Sequence, residues 1–374
     1  MTHQTVNGAM SIERTVYWSK ASGTVRPLDG WLGIEQYSVS PGVRVMGCLE
    51  SLDSSFANVG RSLKRTAQLT LSEDRIRRVV EAEGRTVIAA ERSGAVPVSF
   101  TAADCPDGVM VTGADGVHVP VVPETQKSKR RKTEAAKRRA EGRRSTRRPG
   151  RPKKGAEGDY KEAKVLAFYS QDKSKTHVTA TLGNSEALGR MMRREAGKVK
   201  LGEATFSYSV ADGAKWIDRQ YRLNLPMLDE HILDWYHLKE HVVETSHAVY
   251  GETNPKAEQW QAKMLDAAWE QGSLVLLHRL GPYIRRHKEE RREALESLRG
   301  YVEPRISKMD YPSFRQQGYD CGSGPTESQC GTLTARVKGA GMRWDSDNVE
   351  AMLALAALDH SQQWAAYWAL QRAA

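Results

Sequence analysis

The sequence has few cysteines, no apolar leader and no long apolar run. Its four cysteines include no C-x-x-C pair, which argues against a disulfide scaffold and a thiolate zinc finger and favours a reducing compartment. The first 15 residues lack the apolar core of a secretory signal, and no run is long enough to span a bilayer. We therefore expect a cytoplasmic protein with no membrane partner. At 374 residues, the chain exceeds one compact core, so we expect two or three domains.

Positive charge is concentrated in one segment. The chain carries 56 Lys and Arg against 46 Asp and Glu, a net charge of +10, but residues 127–154 alone hold 15 Lys and Arg against two Glu. Because this segment has no large apolar side chain, we expect a disordered or partly helical arm. Its end, RRPGRPKKG, resembles an AT-hook that binds a narrow minor groove; a solvated linker or targeting tract is the alternative. The candidate DNA contacts in the arm are Arg147, Arg148, Arg151, Lys153 and Lys154.

Residues 231–241 contain a candidate metal motif. His237, Glu240 and His241 spell H-x-x-E-H, and histidines four apart on a helix share one face, as in an inverted zinc-peptidase motif with the glutamate as base. The plain alternative is a pair of surface histidines on an amphipathic helix. A short strand is predicted to end at Leu233, so the stretch becomes helical only afterwards, which disfavours the zinc site.

In two predicted strands, an aspartate followed by a glycine ends or interrupts a stripe of apolar residues. In VMVTGADGVHVPVV (109–122), every second residue from the first is valine except Gly113 and Asp115. The opposite face is largely uncharged, with Met110, Thr112 and Ala114, so the stretch predicts a central strand buried on both faces. In FSYSVAD (206–212), an apolar stripe runs into Asp212. A buried acid is costly unless it is paired or holds a cation. The alternative is a turn aspartate that accepts local backbone N–H groups.

The intervening sequence completes an α/β pattern. We predict strands at KEAKVLAFYS (161–170) and THVTATLG (176–183), a helix over 185–200, and a fifth short strand near Ile232, after a short helix that follows Asp212. The order along the chain is therefore strand, strand, strand, helix, strand, helix, strand.

A third acid lies near the C-terminus. In GSGPTESQCGTLTARVKGAGMRW (322–344), Glu327 falls in the first turn of a predicted helix, where the helix dipole alone favours an acid. Two strand aspartates and this glutamate also supply the oxygen ligands of two Mg²⁺ ions, an arrangement for phosphoryl transfer on DNA. The residues that follow predict phosphate and base contacts: Arg336, Lys338, Arg343 and Trp344.

Taken together, these stretches resemble a known family. ADGVHVPV, ADGAKWI, ILDWYHLKEHV and GSGPTESQCGTLTARVKGAGMRW, in this order, resemble bacterial insertion-sequence transposases of the DDE class, in particular the ISKra type, which is related to Mutator and hAT elements. The resemblance covers about residues 25–370. It implies an RNase H-like core, a mixed five-stranded sheet flanked by helices, over 96–242 and 311–374, with an all-α insertion over 243–310.

The resemblance also implies roles for individual residues. Asp115, Asp212 and Glu327 match the catalytic acids that hold two Mg²⁺ ions, for which Mn²⁺ substitutes, and Asp234 and His237 match a D-x-x-H element that supports the active site. The implied activity is strand cleavage at transposon ends and strand transfer into target DNA. The implied partner is double-stranded DNA, the implied assembly a homo-oligomer of at least two copies, and the implied location the bacterial nucleoid. The alternatives are a catalytically inactive, transposase-derived DNA-binding protein and a zinc metallopeptidase.

Residues 1–95 are predicted to form a helical DNA-binding region. LSEDRIRRVVEAEG (71–84) has Ser72 as N-cap, one apolar face and Gly84 as its stop. Preceded by SSFANVGRSLKRT (54–66), it predicts a helix-turn-helix whose second helix enters a major groove; an ordinary solvated helix is the alternative. The candidate DNA contacts are Arg75, Arg77 and Arg78.

Overall fold

A mixed five-stranded β-sheet forms the centre of the protein. This computed structural model describes residues 2–21, 23–31, 39–143 and 158–373. The central sheet follows two short N-terminal hairpins, and five strands in the order β7-β6-β5-β8-β9 form it; β5, β6 and β7 are antiparallel neighbours, whereas β5, β8 and β9 are parallel. This is the predicted α/β architecture, and it is compatible with an RNase H-like core. The strands are β1 (Thr2–Thr5), β2 (Gly8–Ser11), β3 (Tyr17–Ser19), β4 (Gly23–Val25), β5 (Val109–Pro120), β6 (Tyr160–Ser170), β7 (Thr176–Thr181), β8 (Phe206–Ala211) and β9 (Glu230–Leu233).

Helices surround the sheet. In the part of the chain that the structure describes, no helix has both the length and the apolar character needed to cross a bilayer. The elements between β9 and the last core helices are all helical and include the segment predicted as an all-α insertion. The helices are α1 (Pro27–Trp31), α2 (Pro41–Asp53), α3 (Phe56–Thr66), α4 (Glu73–Ser93), α5 (Glu124–Ala140), α6 (Ser185–Lys198), α7 (Lys215–Asn224), α8 (Trp235–Tyr250), α9 (Pro255–Gln271), α10 (Ser273–Arg286), α11 (Glu289–Val302), α12 (Tyr311–Gln316), α13 (Gly324–Ala335), α14 (Ser346–His360) and α15 (Trp364–Ala373).

The alternation of β5 divides the interior into two apolar cores. Val111 and Val119 pack into one core together with side chains of α4, α8, α13 and α14. Met110 and Ala114 point to the opposite face and pack into the other core, which α6 and α7 cover. The strand is thus buried on both sides, as its sequence predicts. Asp115, on the same face as Val111 and Val119, is only half-buried.

The N-terminal region differs from the prediction in two ways. The described residues of 2–25, which are 2–21 and 23–25, form two antiparallel hairpins, β1–β2 and β3–β4, in place of helices. Ser72 caps α4 as predicted, accepting a hydrogen bond from the Arg75 backbone N–H. However, Gly84 does not stop the helix, which continues to Ser93 and ends at Gly94 with φ at +74°.

Gly84 is a packing residue. A Cβ at this position would lie 2.4 Å from the carbonyl oxygen of Ala351 in α14, so glycine is what allows α4 and α14 to approach so closely. Next to it, Glu83 is completely buried; its carboxylate binds Arg44 of α2 at 2.9 Å and accepts a hydrogen bond from the Tyr367 hydroxyl of α15 at 2.6 Å. The second helix of the predicted helix-turn-helix, α4, therefore packs on α14 and α15, and the role of the pair in DNA binding stays a prediction.

The first half of the basic arm is helical. α5 starts four residues after β5 and covers residues up to 140, consistent with the predicted partly helical arm, and residues 129–143 are all exposed. Residues 144–157 lie outside the described residues. The predicted AT-hook contacts lie there as well: Arg147, Arg148, Arg151, Lys153 and Lys154.

Candidate metal centre

Two predicted acids lie level with each other on neighbouring parallel strands. In the β5–β8 register, Thr112 lies opposite Ser209. Continuing three residues along each chain brings Asp115 level with Asp212, on the same face of the sheet. Because adjacent strands are about 4.8 Å apart, the two carboxylates are neighbours although 97 positions separate them.

Asp234 extends the pair to a row of three. In the β8–β9 register, Ala211 lies opposite Leu233, so the next residues, Asp212 and Asp234, are level. The Asp234 N–H donates to the Ala211 carbonyl at 2.8 Å, which continues the pairing to this point. Asp115, Asp212 and Asp234 therefore form a row across the three neighbouring strands β5, β8 and β9.

Helix α13 faces this row because Gly113 permits its close approach. Gly113 lies two residues before Asp115, and a Cβ there would be 1.8 Å from Thr326 Oγ1 and 2.9 Å from Thr326 Cβ. Glu327 follows Thr326 in the first turn of α13. One turn later, the Cys330 thiol donates to Asp115 Oδ2 at 3.5 Å. Helix α13, which carries Glu327, thus contacts Asp115 through Cys330.

Ser323 joins Glu327 to the row. Its hydroxyl oxygen lies 2.7 Å from Asp234 Oδ2 and 2.6 Å from Glu327 Oε1. A hydroxyl has one proton, so it donates to only one of the two carboxylates. The other short contact between oxygens is favourable only with a proton on the carboxyl group or a cation beside it. Sequence reasoning missed Ser323; its only local signal is a hydroxyl four residues before the helix glutamate.

The electrostatics of the row favour a cation. Burial raises the pKa of Asp212, and the Asp115 charge adds to the rise, although a hydrogen bond from the Ala214 N–H opposes it. Burial likewise raises the pKa of Asp234, and the charge of Glu327 adds to it. A divalent cation offsets this repulsion, and carboxylate oxygens are the ligands that Mg²⁺ prefers. The donor set therefore fits Mg²⁺.

His237 stands beside the acids. One ligand atom from each of Asp234, His237 and Glu327 lies within 4.8 Å of the others, a spacing compatible with one shared ion. The sequence predicted Asp234 and His237 as supporting residues, and the structure places both in the same region as Asp115 and Glu327. The site thus contains an imidazole nitrogen as well as carboxylate oxygens.

The geometry does not favour the H-x-x-E-H zinc pair. β9 ends at Leu233 and α8 begins at Trp235, as predicted, so His237 and His241 do lie on one helix. However, the His241 ring packs against Tyr301, with ring centroids 3.8 Å apart. The group with metal-ligand spacing in the described part of the chain includes His237 but not His241.

Two contacts from the helical segment hold the backbone after Asp212. The Tyr301 hydroxyl donates to the Asp212 carbonyl at 3.3 Å, and Arg305 Nη2 donates to the Gly213 carbonyl at 3.0 Å. The guanidinium of Arg305 also lies 4.4 Å from the centre of the Tyr301 ring. The sequence offered no signal for either residue, because both reach the site from about 90 positions away.

The prediction that Arg336 and Trp344 contact DNA is wrong. Arg336 Nε donates to the Ser51 carbonyl at 3.0 Å, and the guanidinium lies 5.1 Å and 4.8 Å from the rings of Phe56 and Trp344. Arg336 is 9% and Trp344 8% exposed. These cation–π contacts use both side chains to join the end of α13 to α2 and α3.

The other predicted DNA contacts within the described residues are at least partly exposed, and several form ion pairs. Arg77 and Arg78 both bind Asp74, and Arg343 binds Asp159 at 3.2 Å. A DNA phosphate would have to compete with these carboxylates. DNA contact therefore stays a prediction for five residues: Arg75, Arg77, Arg78, Lys338 and Arg343.

A scan of family models and a search of curated proteins both find no match to the chain. Among solved structures, the Drosophila P element transposase strand transfer complex is similar, with 10% sequence identity and a TM-score of 0.40 over 89% of this chain and 94% of that chain. At so low a TM-score, this likeness adds nothing to what the sheet and its acids indicate.

Proposed function

We propose that this protein is a DDE transposase, of the ISKra type of insertion sequence, that uses Mg²⁺ to cleave DNA at transposon ends and to transfer the strand into target DNA. The supporting observation is the level placement of Asp115 and Asp212 on parallel strands, together with α13, which contacts Asp115 through Cys330 and carries Glu327 in its first turn. The strand directions, three antiparallel strands followed by two parallel ones, also suit an RNase H-like core.

In this proposal, Asp115, Asp212 and Glu327 hold two Mg²⁺ ions. When bound, such ions activate a water molecule and neutralise charge on the scissile phosphate. The protein holds the three carboxylates in place, because Cys330 donates to Asp115, the Ala214 N–H donates to Asp212 and Ser323 contacts Glu327. The attacking oxygen comes from water during cleavage and from the freed 3′-hydroxyl during transfer, so no side chain acts as a nucleophile.

The exposed cations of α5 support DNA as the partner. α5 starts four residues after β5, the strand that carries Asp115, and its exposed residues 129–139 hold seven Lys and Arg against one Glu. Such a helix neutralises backbone phosphates, so binding should weaken steeply with salt. Joining two transposon ends would require at least two copies of the chain.

Asp115→Asn tests this proposal. We expect loss of Mg²⁺-dependent cleavage by at least about 100-fold, with unchanged gel-shift affinity, on a duplex that carries the inverted repeats flanking the coding sequence. Asp266→Asn, an exposed aspartate on α9, is the matched control and should cleave normally. Wild-type cleavage by Asp115→Asn would reject the assignment. DNA binding without cleavage by the wild-type protein would instead favour a transposase-derived DNA-binding protein.

A further inference from the structure

The two nitrogens of His237 have different surroundings. Nδ1 lies 3.2 Å from Glu240 Oε2, whereas Nε2 lies 3.8 Å from Asp234 Oδ2. Nδ1 therefore faces the Glu240 carboxylate, and Nε2 faces Asp234.

This arrangement is typical of a metal ligand. Histidines that bind metals usually donate their other N–H to a carboxylate, which fixes the tautomer and the ring orientation. Two ligands that are each about 2.1 Å from one ion are at most about 4.2 Å apart, and the 3.8 Å between His237 Nε2 and Asp234 Oδ2 satisfies this limit. Glu327 lies beside this pair, with its ligand atom within 4.8 Å of the other two.

We propose that Asp234, His237 and Glu327 bind one divalent transition-metal ion, separate from an ion at Asp115 and Asp212, with Glu327 lying between the two positions. This inference rests on the proposed function, since it assigns the second ion of the same site. It differs from the set of three carboxylates in the proposed function, because Asp234 and His237 act as metal ligands and not as supporting residues.

The imidazole predicts which metal the second position prefers. Mg²⁺ favours oxygen ligands and gains little from a nitrogen donor, whereas Mn²⁺ and later divalent metals accept imidazole. The wild-type protein should therefore bind Mn²⁺ at this position more tightly than it binds Mg²⁺, and Mg²⁺ should displace Mn²⁺ poorly in competition. The expected stoichiometry is two Mn²⁺ ions per chain.

Titration with Mn²⁺ alone, followed by electron paramagnetic resonance of the free ion, tests the proposal in the full-length chain without DNA. His237→Ala should weaken one of the two Mn²⁺ sites by at least about tenfold. His241→Ala, which removes the other histidine of the same helix, is the matched control and should leave both sites intact. His237→Phe keeps the ring volume without a ligand atom, so it should reproduce the loss even if the alanine variant folds poorly.

The outcomes separate this inference from the proposed function. If both His237 variants fold, by circular dichroism, and retain two wild-type Mn²⁺ sites, the second position does not use His237 and the inference is overturned. Equal loss in the His241→Ala variant would also overturn it, in favour of the H-x-x-E-H pair. Failure of the proposed function has a different signature, which is normal cleavage by Asp115→Asn whatever His237 binds.

Discussion

Replacing Gly113 with alanine tests how closely α13 must approach the sheet. The added Cβ would lie 1.8 Å from Thr326 Oγ1 and 2.9 Å from Thr326 Cβ. Rotation of the threonine side chain moves the oxygen away but leaves its Cβ in place. Ordinary contacts of this kind are 3.4–4 Å, so α13 must retreat by at least about 0.5 Å.

This displacement affects stability and activity together. Adding a methyl group to a tightly packed position costs about 1–3 kcal/mol, because β5 and α13 are both held by the rest of the core. Glu327 lies in the first turn of α13 and moves with it. Since a misplacement of about 1 Å costs about 100-fold in rate, we expect a shift half as large to lower Mg²⁺-dependent cleavage about tenfold.

Urea denaturation and strand cleavage measure the two effects in Gly113→Ala. Thr326→Ala alone is the control, and it should alter the stability and the cleavage rate only slightly. In the double variant, Thr326 Oγ1 and Cγ2 are lost but Cβ stays at the clashing position, so the retreat of α13 and most of the loss should remain. If Gly113→Ala has wild-type stability and wild-type cleavage, the close approach of α13 does not position Glu327.

Two further predictions concern buried carboxylates. Burial alone raises the pKa of Glu195, but its hydrogen bond with His177 and nearby positive charges outweigh burial and lower the pKa from 4.5 to about 2. Ionised Glu195 thus adds about 3 kcal/mol of stability above pH 4.5, lost as the pH falls toward 2. In urea denaturation, the stability advantage of the wild type over Glu195→Gln should shrink across this range, and an advantage independent of pH would contradict the assignment. Glu83→Ala removes the carboxylate that Arg44 contacts and should cost about 3–5 kcal/mol, partly recovered by adding Arg44→Met; a cost below about 1 kcal/mol would show that this buried pair is not needed.

The sheet was predictable from the sequence because its strands alternate or run apolar over their whole length. Valines at every second position of β5 predicted burial on both faces, and the structure has both cores there. The level placement of Asp115 and Asp212 was not predictable in the same way. It depends on the register between two strands about 97 residues apart, which no local pattern of residues determines.

The errors have a common physical cause. Arg336 and Trp344 stand near glycines in a basic stretch, which is typical of a nucleic-acid contact. Their burial depends on Ser51 and Phe56, which approach from the other end of the chain. Gly84 is similar, because a glycine inside a helical pattern resembles a stop until Ala351 is seen to pack against it. Each misassigned role was decided by a partner that the local sequence does not contain.

The hydrogen bond from Tyr367 to Glu83 connects residues 284 positions apart. During synthesis, α4 therefore leaves the ribosome long before α14 and α15 exist to cover it. At about 5–20 residues per second, its apolar face stays in water for tens of seconds. The N-terminal helices complete their packing only after α14 and α15 have been synthesised, and a fragment that stops before α14 would present that face to chaperones or to other nascent chains.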